Sequence, residues 1–255
     1  MERFITPESL SMSESEVVFS IARHAAWAPR LTTRERWAEW ASAPWAIEAG
    51  EEPKVAAMPA MLRRRAGFLG RMALEVAYEC LGDARNVPTV FCSRHGEVAR
   101  ALELLGDLAR GEPLSPTAFG LAVHNASAGL FSIARADRAN HVALSAGTST
   151  IEHAVIEACG QLADGAPMVL LVACDTSLPE PLHAFEDCDE QPWAFAWALV
   201  PAATQSIRLS WRAHDGEAGA RMPGGLEVLR FQHANDAALV RDAGGKRWTW
   251  SRHAG

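Results

Sequence analysis

The chain has 255 residues, 49% hydrophobic and 22% charged, which supports one large domain with a core and excludes a disordered chain. A net charge of −7 argues against nucleic acid, whose phosphates need a basic face. No apolar run reaches the roughly 18–20 residues that span a bilayer, and the start, MERFITPESLSMSESE, has no signal-type apolar stretch. Five cysteines (80, 92, 159, 174 and 188) show no CxxC and no paired spacing, so a reducing, cytoplasmic setting is expected.

After a polar lead-in over residues 1–15, EVVFSIA (16–22) predicts a strand. HAAWAPRL is expected to be a loop broken at Pro29. Thr32 or Thr33 then offers a hydroxyl cap to a short helix, TTRERWAEWA, and residues 43–58 read as a loop. MPAMLRRRAGFLGRMALEVAYECLG (58–82) carries Leu62, Leu69, Ala73, Val76 and Cys80 at helical spacing, with Gly82 to close the helix. VPTVFCS (87–93) is a buried strand. Gly96 opens a helix, EVARALELLGDLARG, stopped by Gly111 and Pro113. SPTAFGLAV is expected to be extended, and HNASAGLFSIARA (124–136) helical.

HVALS (141–145) predicts a strand, IEHAVIEACGQLAD (151–164) a helix ended by Gly165, and MVLLVACD (168–175) a strand apolar on both faces, as in a parallel sheet. Beyond Pro179, AFAWALV, SIRLSW and RWTWSRH look like strands joined by Gly-rich turns. The succession predicts an α/β fold: a mixed, mostly parallel sheet covered by helices, with an antiparallel C-terminal extension. No repeat or linker divides residues 1–255, which read as one domain with a core over about 16–182 and a β-rich extension over 183–255.

The turn SAGTS (145–149) draws the chemical question. A strand-to-helix turn puts its tip near a helix N-terminus, where backbone N–H groups and the dipole favour a thiolate or an oxyanion. Ser145, Thr148, Ser149 and Thr150 are the available hydroxyls, and none lies in a GxSxG elbow. Ser149 or Thr150 could equally be a helix cap. His124 beside Asn125 could orient a substrate or hold a loop, and the small residues that follow allow close backbone approach. His153 could line a pocket or sit half-buried on its helix. The nine histidines show no metal-ligand spacing, so no metal and no cofactor are expected. Arg63, Arg64 and Arg65 could dock an acidic partner or simply face solvent. The nine tryptophans lie mainly near the two ends and are expected to pack flanking segments onto the core.

Several stretches in order resemble one family: WAP (27–29), PAMLRRR (59–65), GRMALEVAYE (70–79), VFCSRHGE (90–97), LSPTAFGLAVHNASAGLFSIA (114–134), SAG (145–147), EA (157–158), LLV (170–172) and LPEP (178–181). They cover most of residues 25–182. Together they resemble the N-terminal half of the β-ketoacyl-ACP synthases, which have the thiolase fold. The resemblance is greatest to the short ketosynthase-like chain length factors of aryl polyene pigment clusters.

The resemblance implies a nucleophilic cysteine at the tip of SAGTS. Laying Asn125 and Gly165 on their counterparts without gaps puts Thr148 there; matching AGTS to the local text Ala-Cys-Thr-Ser puts Gly147 there. In both registers the sulfur is absent. The further catalytic histidines of the family come from a C-terminal half, and residues 183–255 carry no HGTGT-like or GFGG-like motif. The resemblance thus implies a non-catalytic subunit of a heterodimer with a full-length β-ketoacyl-ACP synthase, meeting the acyl carrier protein through that complex. HVALS would pair across the interface, and Phe119 would gate the acyl tunnel, with Leu102 and Leu105 as second choices and His124, Asn125 and His153 near the contact. Two other readings stay open. One is an acyl-thioester hydrolase or acyltransferase using Thr148 or Ser149 with His124 or His153 as base. The other is a scaffold that recruits the carrier protein through Arg63–Arg65.

Overall fold

A computed structural model describes residues 15–216 and 221–254. The predicted lead-in lies outside the described residues except for Ser15. β1 (Ser15–Trp27) runs through the first half of the segment expected as a loop. Thr33 caps α1 (Arg34–Ser42), its hydroxyl accepting from the Arg36 N–H at 3.3 Å. The long helix expected over 58–82 is two: α2 (Ala60–Arg63) and α3 (Phe68–Leu81), broken at Arg64–Gly67. Gly82 takes φ +56 and ends α3 as expected.

Next come β2 (Thr89–Cys92), α4 (Val98–Ala109) and α5 (Pro116–Gly120). α5 replaces the predicted extended segment. Ser115 Oγ accepts from the Ala118 N–H and Pro116 supplies a preset φ in the first turn, so the dipeptide Ser-Pro starts a helix here. α6 (Ala126–Arg135), β3 (His141–Leu144), α7 (Thr150–Ala163) and β4 (Val169–Asp175) follow. β5 (Trp193–Pro201), β6 (Gln205–Ala213), α8 (Gly224–Ala234), β7 (Ala238–Ala243) and β8 (Lys246–Ala254) complete the chain. Neither α8 nor β7 was legible in the sequence.

The eight strands form one mixed sheet, ordered β3-β2-β4-β5-β1-β6-β8-β7. β3, β2 and β4 run parallel; every pairing from β4–β5 to β8–β7 is antiparallel. The parallel part is thus the three-strand end of the sheet. The antiparallel continuation takes in β1 as well as the C-terminal strands. β3 is an edge.

A core lies on each face. β5 shows how its sequence divides them. Trp193, Phe195, Trp197 and Leu199 point to the face covered by α7, α8 and α1; Ala194, Ala196 and Ala198 point to the other. The alanines let α3 approach closely, and α3 fills that face with Met72, Leu74, Val76 and Leu81. Burying one such side chain stabilises by about 1.5–3 kcal/mol. The tryptophans pack the flanks as expected. Trp37, Trp40, Trp197, Trp248 and Trp250 are fully buried in the first core. Four of the five cysteines are buried and all five are free thiols.

Candidate functional site

β3 ends at Leu144, and the chain turns through Ser145 and Ala146 into a 3-10 turn, Gly147–Ser149, before α7. Gly147 sits at φ +57, a left-handed backbone that suits glycine. Three of the four hydroxyls bond to the turn's own backbone or its neighbour's. Ser145 Oγ donates to the Arg94 carbonyl at 2.8 Å, and Ser149 Oγ to that of Ala146 at 3.1 Å. Thr150 Oγ1 accepts from the Ala146 N–H at 2.9 Å and donates to the Gly147 carbonyl at 2.7 Å. Ser149 holds the N-cap position of α7 but makes no cap bond. The two candidate bases also serve the backbone. His153 Nδ1–H donates to the Ser149 carbonyl at 2.9 Å, and His124 Nε2–H to the Leu144 carbonyl at 3.1 Å. Among the described residues no imidazole or carboxylate reaches the Thr148 hydroxyl, so no nucleophile–base pair is formed.

The C-terminal extension closes over this turn. Arg241 of β7 is buried, bonds to Glu152 in the first turn of α7 and, at 2.6 Å, to Glu227 of α8. Its Nη2 donates to the Thr148 carbonyl at 3.3 Å. Glu152 is fully buried and also accepts from Trp250 Nε1 at 3.4 Å. Burial alone would weaken the Arg241 charge, but the Glu152 and Glu227 carboxylates outweigh it and raise its pKa. Gly244, in the β7–β8 turn, lies so close that a Cβ there would meet Ser149 Oγ at 2.7 Å. Trp248 meets the His153 ring edge-on at 5.3 Å. A cavity of about 220 Å³ remains beside Thr148, bordered by Arg94, Cys188, Gly224, Glu227 and Arg241.

A second polar cluster sits at the carboxyl ends of β2 and β4. Asp175, ending β4, accepts from Ser93 Oγ at 2.7 Å and from the Arg94 N–H at 2.9 Å. Burial pushes its carboxyl up to about 6 against these two bonds. The Arg94 guanidinium donates to Cys188 Sγ at 2.9 Å and Glu190 at 2.7 Å, and pairs with Asp187. His95 Nε2 lies 3.2 Å from Glu190, which raises its pKa. Burial pushes the Cys188 thiol up to about 12.

The other predicted site residues fall into separate places. Phe119 on α5 and Leu105 on α4 are 65% and 61% exposed, while Leu102 is half-buried. Leu108, Leu114 and Val123 are exposed beside them in the chain, so α4, α5 and their flanks present an apolar face. His124 packs over Gly96, where a Cβ would meet its ring at 2.5 Å. Asn125 stands exposed at the N-cap position of α6. His153 lies beneath the C-terminal hairpin, away from that face. Arg64 and Arg65 are exposed with no ion pair among the described residues; Arg63 donates to the Val55 carbonyl at 3.3 Å. Sequence reading missed Arg94, Glu152 and Arg241. The available signal was Glu152, an acid in the first turn of a helix whose later residues are mostly apolar.

A parallel β3-β2-β4 unit with a strand-to-helix turn at its carboxyl end defines a thiolase-type α/β half. The family described as β-ketoacyl synthase, N-terminal domain, matches residues 37–251, and the chain belongs to it. No curated protein matches the chain. Among solved structures it is similar to a chain of the ketosynthase ApeO in complex with its chain length factor ApeC from Xenorhabdus doucetiae. The identity is 28%, the TM-score 0.83, and the match covers 92% of this chain and 100% of that one. It also resembles the ishigamide ketosynthase/chain length factor at 12% identity and a TM-score of 0.60, over 77% of this chain and 68% of that one. A β-ketoacyl synthase from Burkholderia phymatum matches at 12% identity and a TM-score of 0.57, over 88% and 71%. The latter two show the fold alone.

Proposed function

We propose that the chain is a non-catalytic chain length factor that pairs with a full-length β-ketoacyl-ACP synthase and shapes its acyl tunnel, in aryl polyene or related polyketide-type synthesis. The observation that carries this reading is the turn after β3. It has no sulfur, three of its four hydroxyls and the nearby histidines bond the backbone, and Arg241 ties the C-terminal extension over it. A working surface must then lie elsewhere. Among the described strands β3 is an edge with one neighbour, bordering an open groove of about 800 Å³ that also touches Glu157 and Gln161 of α7. An unpaired edge is a template for a strand from another chain. The apolar face of α4 and α5 adds surface of the kind that partners cover.

The match to one chain of the ApeO–ApeC complex supports the reading, because it takes in the whole of that chain. Among the described residues no helix is long and apolar enough to cross a membrane, and five free thiols suit a reducing, cytoplasmic setting. Phe119 is the favoured gate: bulk placed where the growing acyl chain ends resists further growth. The exposed Arg64 and Arg65 suit contact with an acidic carrier protein alongside this role.

Co-expression with a full-length ketosynthase tests the proposal. Co-purification is expected, and Phe119→Ala should lengthen the products made on the carrier protein. A chain that purifies as a monomer and never binds a ketosynthase would overturn it.

A further inference from the structure

No metal-ligand spacing is visible in the sequence, yet folding brings a mixed set of donors to one place. We infer that Asp187, Cys188 and Glu190, together with His95, form a site for a zinc-type divalent ion at the carboxyl ends of β2 and β4. One ligand atom each of Asp187, Cys188 and Glu190 lies within 4.8 Å of the others. His95 Nε2 is 3.2 Å from Glu190 Oε1 but lies outside that group of three, so its ring must turn to join them. Sulfur, nitrogen and carboxylate oxygen bound to zinc at about 2.0–2.3 Å stand roughly 3–4 Å apart, so small side-chain adjustments suffice.

Two observations point to a missing cation. Glu190 has a side chain only 1% exposed, and its Oε2 has no hydrogen-bond partner. A buried carboxylate oxygen without a donor is costly. The charge of the cluster is also short. Asp175 and Glu190 are buried and Asp187 is beside them, against one guanidinium, that of Arg94. Asp187 is half exposed, so solvent compensates it in part; the two buried carboxylates still share one cation.

Arg94 does not rule the ion out, because it reaches only one oxygen of each carboxylate. Its Nη1 donates to Cys188 Sγ at 2.9 Å and to Glu190 Oε1 at 2.7 Å, and its Nη2 to Asp187 Oδ1. It thereby turns all three groups toward one point, as partners behind a metal's ligands do. The cavity beside Thr148, bordered by Arg94, Asp187 and Cys188, gives the guanidinium room to shift away from the incoming charge. On binding, the Cys188 thiol releases its proton to water and the thiolate becomes a ligand. Cysteine and histidine with carboxylates favour zinc over calcium or magnesium. The ion would pin the loop after β4 to the turn after β2.

Cobalt(II) reports on such a site through a sulfur-to-metal charge-transfer band. Titration of the purified full chain should give that band with saturation at one equivalent, and zinc should abolish it. Cys188→Ser should remove the band, and Glu190→Gln, which takes away a proposed ligand charge, should weaken binding by at least about tenfold. No band at stoichiometric cobalt, or a band that survives in Cys188→Ser, would overturn the inference. Near-UV circular dichroism checks that the serine variant is folded. Should it not fold, Asp187→Asn, at a half-exposed position, replaces it, with at least about tenfold weaker cobalt binding expected and unchanged binding counting against the site.

Discussion

The turn after β3 and the face of α4 and α5 are opposites in how they treat solvent. At the turn, Ser149 and Thr150 are buried, backbone carbonyls are satisfied by hydroxyls and imidazoles, and a buried arginine spans two acids. On the α4 and α5 face, leucines and a phenylalanine stand in water with nothing over them among the described residues. Closing a would-be active site with an ion pair takes desolvation energy that a hydrophobic plug would not. Leaving an apolar face bare forgoes burial energy. The turn after β3 is closed and the α4–α5 face is open. On the proposed function, that difference puts the partner contact on the open face.

The comparison breaks first at Arg241. Arg241→Met removes the cation from between Glu152 and Glu227 and leaves Glu152 charged and fully buried. A cost of about 3–5 kcal/mol is expected, because an unpaired buried charge remains. Thermal unfolding should show it as a drop of roughly 6 °C or more at this chain length. Adding Glu152→Leu should recover a large part. If the single variant melts within about 2 °C of the native chain, Arg241 is not what holds the extension on the turn.

The opposite result is expected on the open face. Leu105→Asp combined with Phe119→Asp should leave the melting temperature nearly unchanged, since exposed positions shift stability by about 0.5 kcal/mol or less. The same variant should weaken association with the ketosynthase by roughly 30-fold or more, equivalent to about 2 kcal/mol. Affinity by biolayer interferometry and melting by calorimetry give the two readings. Unchanged affinity would remove this face from the interface.

Local spacing made most of the parallel unit legible. β2, β3, β4 and α7 lie close to where apolar runs and glycines put them, because each is set by residues within its own length. The turn at Gly147 and Thr148 was readable for the same reason. What failed depended on distance in the chain. α8 opens with Pro223, Gly224 and Gly225, a poor helical start by propensity. It is positioned by packing instead: Gly225 lies where a Cβ would overlap Trp193, and Phe231 sits in the core. The Arg241–Glu152 pair joins positions 89 residues apart, and Arg94–Glu190 joins positions 96 apart. No periodicity announces such partners. SPTAFGLAV was expected to be extended, although Pro116 placed directly after Ser115 starts a helix there.

Acid should separate the closed side of the molecule from the open one. His233, on α8, stacks on Trp37 at 5.8 Å, and its pKa is lowered to about 4, first by burial and then by His24 and Arg34. In the unfolded chain it titrates near 6.5. Between these values the unfolded state takes up a proton that the folded state refuses, so stability falls as pH drops from about 6.5 toward 4 and is unaffected above. The full shift discounted for partial solvent contact gives about 2 kcal/mol. Denaturant melts from pH 7.5 to 4.5 should show the decline, and His233→Gln should flatten it. An unchanged slope in the variant would assign the acid sensitivity to another group.

The smallest effect is expected where a reader of ketosynthases would look first. Thr148→Cys restores a thiol at one of the two candidate nucleophile positions, next to the N-terminus of α7. The dipole there can favour a thiolate, so slow alkylation by iodoacetamide is expected. An acyl-enzyme needs more. His124 and His153 make their hydrogen bonds to backbone carbonyls, and among the described residues neither bonds to residue 148. Intact mass spectrometry after incubation with an acyl thioester should therefore show no adduct, and the products of the ketosynthase complex should keep their length. A stoichiometric adduct would mean that the closed turn still carries working chemistry, and the contrast between a shut centre and an open surface would fail at that point.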